Sequence, residues 1–124
     1  GTIERMRGAL QTLASCGAAD RITVLRTEYP ARDLCIVDVL NQGCSKGHAV
    51  ERWAAYRGIL REQVMAIGDN YNDIEMLEFA GIPVIMGNAS PELRGRGWMV
   101  TGLHDEAGVA TAVEQVLSGA KTAV

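Results

Sequence analysis

The chain has 124 residues, enough for one domain that buries roughly two-thirds of the surface its unfolded chain exposes. Its net charge is −3 and it has no basic stripe, so its electrostatics give no reason to expect a nucleic-acid partner. The 48% hydrophobic content is ordinary for a globular protein, and no apolar run approaches the roughly 20 residues of a membrane-spanning helix.

The first 44 residues predict a helix followed by a β-hairpin. Residues 3–14 carry apolar side chains at intervals of three and four, the pattern of an amphipathic helix. Two β-rich runs follow, RITVLRTEY at 21–29 and DLCIVDVL at 33–40. Only the short segment PAR separates these runs, so we expect them to form an antiparallel pair.

From residue 46 onward, predicted helices and strands alternate. The helices are expected at about 47–57, 71–80 and 105–118, and the strands at 64–67, 82–86 and 98–100. Alternation with short loops indicates parallel βαβ units, and the unbroken apolar runs VMAI and IPVIM suit strands covered on both faces. In the first of these helices we expect Val50, Trp53 and Ala54 to share one face. The closing segment SGAKTAV is expected to be a frayed tail.

The segment GDNYND, directly after VMAI, concentrates oxygen ligands at the carboxyl end of a buried strand. Ligands bind at this edge in open parallel sheets. Asp69 ends the strand and Asp73 lies one helical turn further on, so both carboxylates can point to one spot. Hard oxygens at a helix N-terminus suit Mg²⁺ and the phosphate that accompanies it. The simpler alternative is that Asn70 or Asn72 only caps the helix, with Glu75 completing a capping box.

Lys46 is a second candidate, because it stands at the start of a predicted helix. A lysine there opposes the helix dipole, an arrangement that makes sense if its ammonium group reaches an anion at the same sheet edge. Taken alone, a solvated lysine in a loop is the simpler interpretation. Further along, Ser90 and Pro91 form a helix-start signal, and Asn88 is interpreted as a turn residue.

The cysteines Cys16, Cys35 and Cys44 show no CxxC spacing. We therefore expect reduced thiols in a cytoplasmic protein. His48 and His104 stand apart from the cysteines, so a zinc site is not expected.

The chain resembles the haloacid dehalogenase superfamily of hydrolases in four segments taken together: SKG, GDNYND, AGIPVIMGNA and HDEAGVATAVEQVL. It is most similar to the capped, Cof-type branch of sugar-phosphate phosphatases, over about residues 20–118. GDNYND matches the family's GDxxND signature, and Lys46 with Gly47 matches the preceding one. The resemblance implies that 45–124 is the C-terminal part of a Rossmann-like α/β core and that 1–44 is the remnant of an α/β cap. Cation-pumping ATPases carry a related GDxxND, but the continuation AGIPVIMGNA and the lack of a membrane segment argue against them.

The resemblance also implies roles for individual residues. Asp69 would bind Mg²⁺ directly, and Asp73 would hold a metal-bound water or the lysine. Asn72 would hydrogen-bond the phosphoryl group, and Lys46 would neutralise the phosphate and orient the nucleophile. The implied reaction is Mg²⁺-dependent hydrolysis of a small phosphorylated metabolite, such as a sugar phosphate, through an aspartyl-phosphate.

The family carries its nucleophile in a DxD motif, and these 124 residues contain none. Asp38, in CIVDVLNQG, lacks the second carboxylate and falls where the last cap strand would be, so we reject it as a substitute. We therefore expect the chain to be the C-terminal portion of a longer phosphatase and to be inactive alone. An exposed edge of VMAI favours a homo-oligomer joined strand to strand. The alternative is a non-catalytic α/β module that self-associates or binds a partner through that edge; the upstream coding sequence distinguishes the two.

Overall fold

The computed structural model describes the backbone of residues 1–122 and the side chains of residues 1–119. The helices and strands follow the order expected from the sequence. In chain order they are α1 (Ile3–Ala14), β1 (Ile22–Tyr29), β2 (Leu34–Asn41), α2 (Lys46–Arg57), β3 (Met65–Gly68), α3 (Ile74–Phe79), β4 (Ile82–Ile85), α4 (Pro91–Arg94), β5 (Met99–Val100) and α5 (Gly108–Thr122).

The first part of the chain is α1 and an antiparallel hairpin of β1 and β2, in which Tyr29 lies opposite Leu34. The hairpin turn is a short 3-10 helix, Pro30–Arg32, closed by Asp33 in the left-handed conformation at φ 44°. The Asp33 carboxylate accepts a hydrogen bond from the Ile3 N–H at 3.1 Å. This bond ties the hairpin turn to the first residue of α1.

The second part is a three-stranded parallel sheet in the order β3–β4–β5. Helix α3 connects β3 to β4, which is the βαβ arrangement expected from alternating elements. The α/β fold class is confirmed. The cluster of buried apolar residues at the centre of this part comprises Ala66, Leu77, Ala80, Ile85, Ala89 and Leu93.

Several boundaries differ from the sequence-based expectation. The helix expected at 71–80 begins as a 3-10 turn, Tyr71–Asp73, before α3 starts. The last helix starts at Gly108 rather than 105 and continues through Thr122, so 118–122 is helical instead of a frayed tail. The last two residues of that expected tail, 123 and 124, lie outside the described residues.

Trp53 was expected to pack on the same face of α2 as Val50 and Ala54, and for Trp53 this was wrong. Ala54 is buried, whereas Trp53 is 58% exposed and stacks on Tyr56 with ring centroids 5.6 Å apart. Successive residues of an α-helix point about 100° apart, so the face that buries Ala54 turns its neighbour outward.

Among residues 1–122, the structure has no helix with the length and apolar character needed to cross a lipid bilayer.

Candidate active site

The loop after β3 folds back around the Asp73 carboxylate. Asp73 Oδ2 accepts hydrogen bonds from the backbone N–H of Asp69 at 3.0 Å and of Asn70 at 3.1 Å. A Cβ on Gly68 would lie 2.6 Å from the Asp73 Cβ, closer than real Cβ contacts come. Glycine at the end of β3 is therefore required by this close approach.

The second oxygen of Asp73 pairs with Lys46. The distance from Lys46 Nζ to Asp73 Oδ1 is 2.6 Å. The Asp73 side chain is only 5% exposed, whereas that of Lys46 is 50% exposed. The anion that Lys46 reaches is thus Asp73 itself, and half of the lysine surface remains open to solvent.

Helix packing brings Lys46 to this position. Lys46 is the first residue of α2, and Ser45 caps the helix by accepting a hydrogen bond from the His48 N–H at 3.1 Å. A Cβ on Gly47 would lie 2.7 Å from the backbone carbonyl carbon of Glu75 in α3. Because residue 47 has no side chain, the first turn of α2 lies directly against α3. In the sequence, Gly47 stands out only as part of a motif, and no local pattern signals this packing role.

Asp69 differs from Asp73 although it lies only four residues away. Asp69 is exposed, and its carboxylate has no hydrogen bond or ion pair with another described residue. It lines a cavity of about 730 Å³ between the hairpin turn and the loops that follow β3 and β4. Asp69 is therefore the carboxylate of this pair that is free to bind a ligand.

Asn70 joins the hairpin to this loop. Its Nδ2 donates to the Glu28 carbonyl oxygen at 2.8 Å, and its Oδ1 accepts from the Glu28 N–H at 2.9 Å. Its Oδ1 also accepts a hydrogen bond from the Tyr71 N–H at 2.9 Å, so Asn70 caps the 3-10 turn that precedes α3. The capping box expected as the simpler alternative is therefore present at Asn70, but its second side chain is that of Asp73 rather than Glu75. No sequence signal could have revealed the Asn70–Glu28 contact, because it joins residues 42 positions apart.

Asn72 does not share the larger cavity with Asp69. It lines a second cavity of about 430 Å³, together with Arg26, Ile74 and Glu75. The structure therefore brings Lys46 and Asp73 together at the loop that carries Asp69. Asn72 belongs to the same loop but lines the second cavity.

The donor atoms present fit Mg²⁺ only in part. No group of three or more histidine, cysteine, aspartate or glutamate side chains that could hold a metal ion occurs within the part of the chain that the structure describes. Both oxygens of Asp73 already accept hydrogen bonds, which leaves Asp69 as the available carboxylate. Mg²⁺ commonly takes one or two protein carboxylates together with waters and substrate phosphate oxygens. One free carboxylate from this chain is compatible with that pattern, and Asp73 as a direct ligand stays a prediction.

Comparison with known proteins shows which family the chain belongs to. Residues 25–113 match the haloacid dehalogenase-like hydrolase family. The chain belongs to this family, and the resemblance read from its motifs is confirmed.

Two curated relatives and one solved structure illustrate the similarity. The chain is 40% identical over 84 residues to a 5-amino-6-(5-phospho-D-ribitylamino)uracil phosphatase of Bacillus subtilis, covering 68% of this chain and 29% of that protein. It is 46% identical over 66 residues to a pyridoxal phosphate phosphatase of Escherichia coli, covering 53% of this chain and 24% of that protein. The solved structure is that of a haloacid dehalogenase (HAD) subclass IIB sugar phosphatase. It aligns with this chain at 29% sequence identity and a TM-score of 0.72, and the alignment covers 93% of this chain and 40% of that one. The chain therefore spans less than half the length of each of these proteins.

Proposed function

We propose that this chain is the metal- and phosphate-binding part of a Mg²⁺-dependent phosphohydrolase acting on a small phosphorylated metabolite, with a sugar phosphate as one such substrate. The observation that carries the proposal is the pairing of Lys46 with buried Asp73 at 2.6 Å, beside the free carboxylate of Asp69. Membership of the haloacid dehalogenase-like hydrolases supports it, as do relatives that are named as phosphatases of small phosphorylated molecules.

Each site residue has a role in the proposal. Asp69 contributes a carboxylate to Mg²⁺, and Asp73 holds Lys46 and the loop in position. The half-exposed ammonium group of Lys46 neutralises the phosphoryl oxygens and orients the nucleophile. The role that the motif implies for Asn72, a hydrogen bond to the phosphoryl group, stays a prediction, because Asn72 lines the second cavity rather than the one beside Asp69. When bound, Mg²⁺ supplies positive charge that offsets the negative charge of the transferring phosphoryl group.

The nucleophile in this proposal comes from outside these 124 residues, which contain no DxD motif. An aspartate carboxylate attacks phosphorus and displaces the alcohol, giving an aspartyl-phosphate that water then hydrolyses. The 124-residue chain alone is accordingly expected to be inactive.

The test compares the chain alone with the same chain preceded by the DxD-bearing segment of its reading frame. We expect Mg²⁺-dependent hydrolysis of phosphate monoesters only from the longer protein. In that protein, Lys46→Ala and Asp69→Asn should each lower kcat by about 10²- to 10³-fold, because each removes a group that stabilises transferring charge. The control is Asp38→Asn, an exposed aspartate on β2, which should leave kcat unchanged. Turnover by the 124-residue chain that Asp69→Asn abolishes would overturn the assignment of the nucleophile.

A second candidate is a non-catalytic α/β module that self-associates or binds a partner through a sheet edge. The observation that favours it is that β3 pairs only with β4 within the described residues, so its other edge has no strand beside it. The same edge supports a homo-oligomer for the chain. Sedimentation of the folded chain at increasing concentration tests this, and a monomer throughout would contradict it.

A further inference from the structure

On the premise of the proposed function, we infer that Asn70 is a positioning residue that couples the docking of the hairpin to the direction of the Asp69 carboxylate. The docked hairpin and a Mg²⁺ ion bound at Asp69 then stabilise each other. The proposed function gives Asn70 no contact with the metal ion or the phosphoryl group. Asn70 acts instead through the backbone of the loop that it shares with Asp69.

Asn70 holds the hairpin by the backbone of one residue. Its carboxamide donates to the Glu28 carbonyl oxygen at 2.8 Å and accepts from the Glu28 N–H at 2.9 Å. Glu28 lies opposite Cys35 in the hairpin, and the Cys35 N–H donates to the Gly1 carbonyl oxygen at 2.9 Å rather than across the hairpin. The Asn70 side chain therefore takes the place of a neighbouring strand along the outer edge of β1.

The backbone of Asn70 is at the same time fixed next to Asp69. The N–H groups of Asp69 and Asn70 both donate to Asp73 Oδ2, at 3.0 and 3.1 Å. The peptide group between Asp69 and Asn70 is thus held by Asp73 on one side, and the side chain that follows it is held by the hairpin on the other. The exposed Asp69 carboxylate has no bond of its own within the described residues, so its direction depends on this backbone.

A second contact from the hairpin reaches the next residue of the loop. The guanidinium carbon of Arg26 lies 3.8 Å from the centroid of the Tyr71 ring, and Arg26 Nη1 lies 3.2 Å from the Glu28 carboxylate. The Tyr71 hydroxyl donates to the Glu92 carboxylate at 3.0 Å, which holds the ring from the core side. The hairpin therefore contacts both of the residues that directly follow Asp69.

These polar contacts dominate the docking of the hairpin, because within residues 1–44 only Glu28 and Cys35 are buried. A ligand shifts such an equilibrium when it binds the docked form more tightly than the undocked form. Mg²⁺ at Asp69 does so, because the docked hairpin maintains the loop geometry that aims the carboxylate. The coupling is reciprocal, so docking raises the affinity for Mg²⁺ by the same factor by which Mg²⁺ favours docking.

The test uses the longer protein that includes the DxD-bearing segment, with Mg²⁺ affinity measured by titration calorimetry and backbone protection by amide hydrogen exchange. We expect Asn70→Ala to weaken Mg²⁺ binding by about tenfold, as is typical when a group that orients a metal ligand is removed. Saturating Mg²⁺ should slow exchange in β1 and β2 by a comparable factor in the unmutated protein and should not do so in Asn70→Ala.

The matched control is Asn41→Ala, which should leave both measurements unchanged. Asn41 is exposed at the end of β2, and its side chain makes no hydrogen bond within the part of the chain that the structure describes. Arg26→Ala probes the coupling from the hairpin side and serves as the second variant if Asn70→Ala fails to fold. It removes the contact with the Tyr71 ring and should weaken Mg²⁺ binding by about two- to fivefold.

The two proposals fail in different measurements. If the folded longer protein binds no Mg²⁺, or if Asp69→Asn leaves the Mg²⁺ affinity unchanged, the proposed metal site is overturned and the coupling with it. If Asp69→Asn weakens Mg²⁺ binding but Asn70→Ala and Arg26→Ala do not, the coupling is overturned and the proposed function stands. Exchange in β1 and β2 that does not respond to bound Mg²⁺ has the same meaning, since a purely structural role for Asn70 would leave no such link.

Discussion

The two parts of the molecule are stabilised in different ways. Residues 61–94 supply every member of the buried apolar cluster around β3, α3 and β4. In residues 1–44, by contrast, only Glu28 and Cys35 are buried. The α1–hairpin part has almost no core of its own, and small units of this kind depend on contacts with a larger partner.

The contacts that hold the hairpin are polar and concentrated at one loop. Asn70 binds the backbone of Glu28, and Arg26 lies over the ring of Tyr71. The loop that carries the candidate site is therefore also the main attachment of the hairpin. Substitutions in and around this loop should therefore show whether the polar attachment of the hairpin and the apolar core of the other part can be weakened separately.

The largest effect is expected for Asp73→Ala. This substitution removes the buried acceptor of two backbone N–H groups and of Lys46, so we expect the free energy of unfolding to fall by about 3 kcal/mol. Asp69→Ala, four residues away on an exposed and unpaired side chain, should change it by no more than about 0.5 kcal/mol. Urea denaturation followed by circular dichroism measures both. Equal losses in the two variants would contradict the division of roles between the two aspartates.

Gly47→Ala should follow, at about 2 kcal/mol of destabilisation, because the added methyl group would overlap the α3 backbone at Glu75. Gly8→Ala is the control in the other part of the molecule. A Cβ on Gly8 in α1 meets no atom within 4 Å, so alanine there should stabilise by about 0.5–1 kcal/mol. The same urea experiment reports both signs, and destabilisation by Gly8→Ala would show that α1 is packed more tightly than the structure has it.

Asn70→Ala should cost about 1–2 kcal/mol and act mainly on the hairpin, since it removes the two hydrogen bonds to Glu28. We expect faster amide hydrogen exchange in β1 and β2 and little change in β3 and β4. Asn72→Ala is the matched control, because the Glu28 backbone is hydrogen-bonded to Asn70 and not to Asn72. Uniform loss of protection across both sheets would instead mean that the two parts unfold as one unit.

The smallest effect is a difference in thiol reactivity. Burial, aided by the Glu28 carboxylate, raises the pKa of the Cys35 thiol, and the side chain is 1% exposed. Cys44 is exposed. Because only the thiolate reacts, alkylation near pH 8 should modify Cys44 first and Cys35 last. Peptide mapping over time measures the order, and early labelling of Cys35 would show that the hairpin opens readily.

The sequence was most informative where local patterns determine structure. The 3.6-residue period located α1, and the short PAR connection predicted the antiparallel hairpin. The sequence also predicted that Lys46 reaches an anion near GDNYND, because a lysine at a helix N-terminus opposes the helix dipole, and in the structure Lys46 pairs with Asp73. It did not reveal the Asn70–Glu28 bonds or the separate cavity of Asn72, since both depend on how the hairpin packs on the core. Trp53 was misplaced because its spacing from Val50 suggested that it shares a face with Val50 and Ala54, whereas the buried residues of α2 are Gly47 and Ala54.

The contact between α2 and α3 through Gly47 has a consequence for assembly. Since the two helices touch at the backbone and Lys46 is paired with Asp73, the two motif segments form one preassembled piece. If the proposed function holds, a strand bearing the DxD carboxylates would dock onto a surface that is already formed by these two helices. On the proposed function, we predict that a separately expressed polypeptide bearing the DxD motif restores phosphatase activity when it is mixed with this chain.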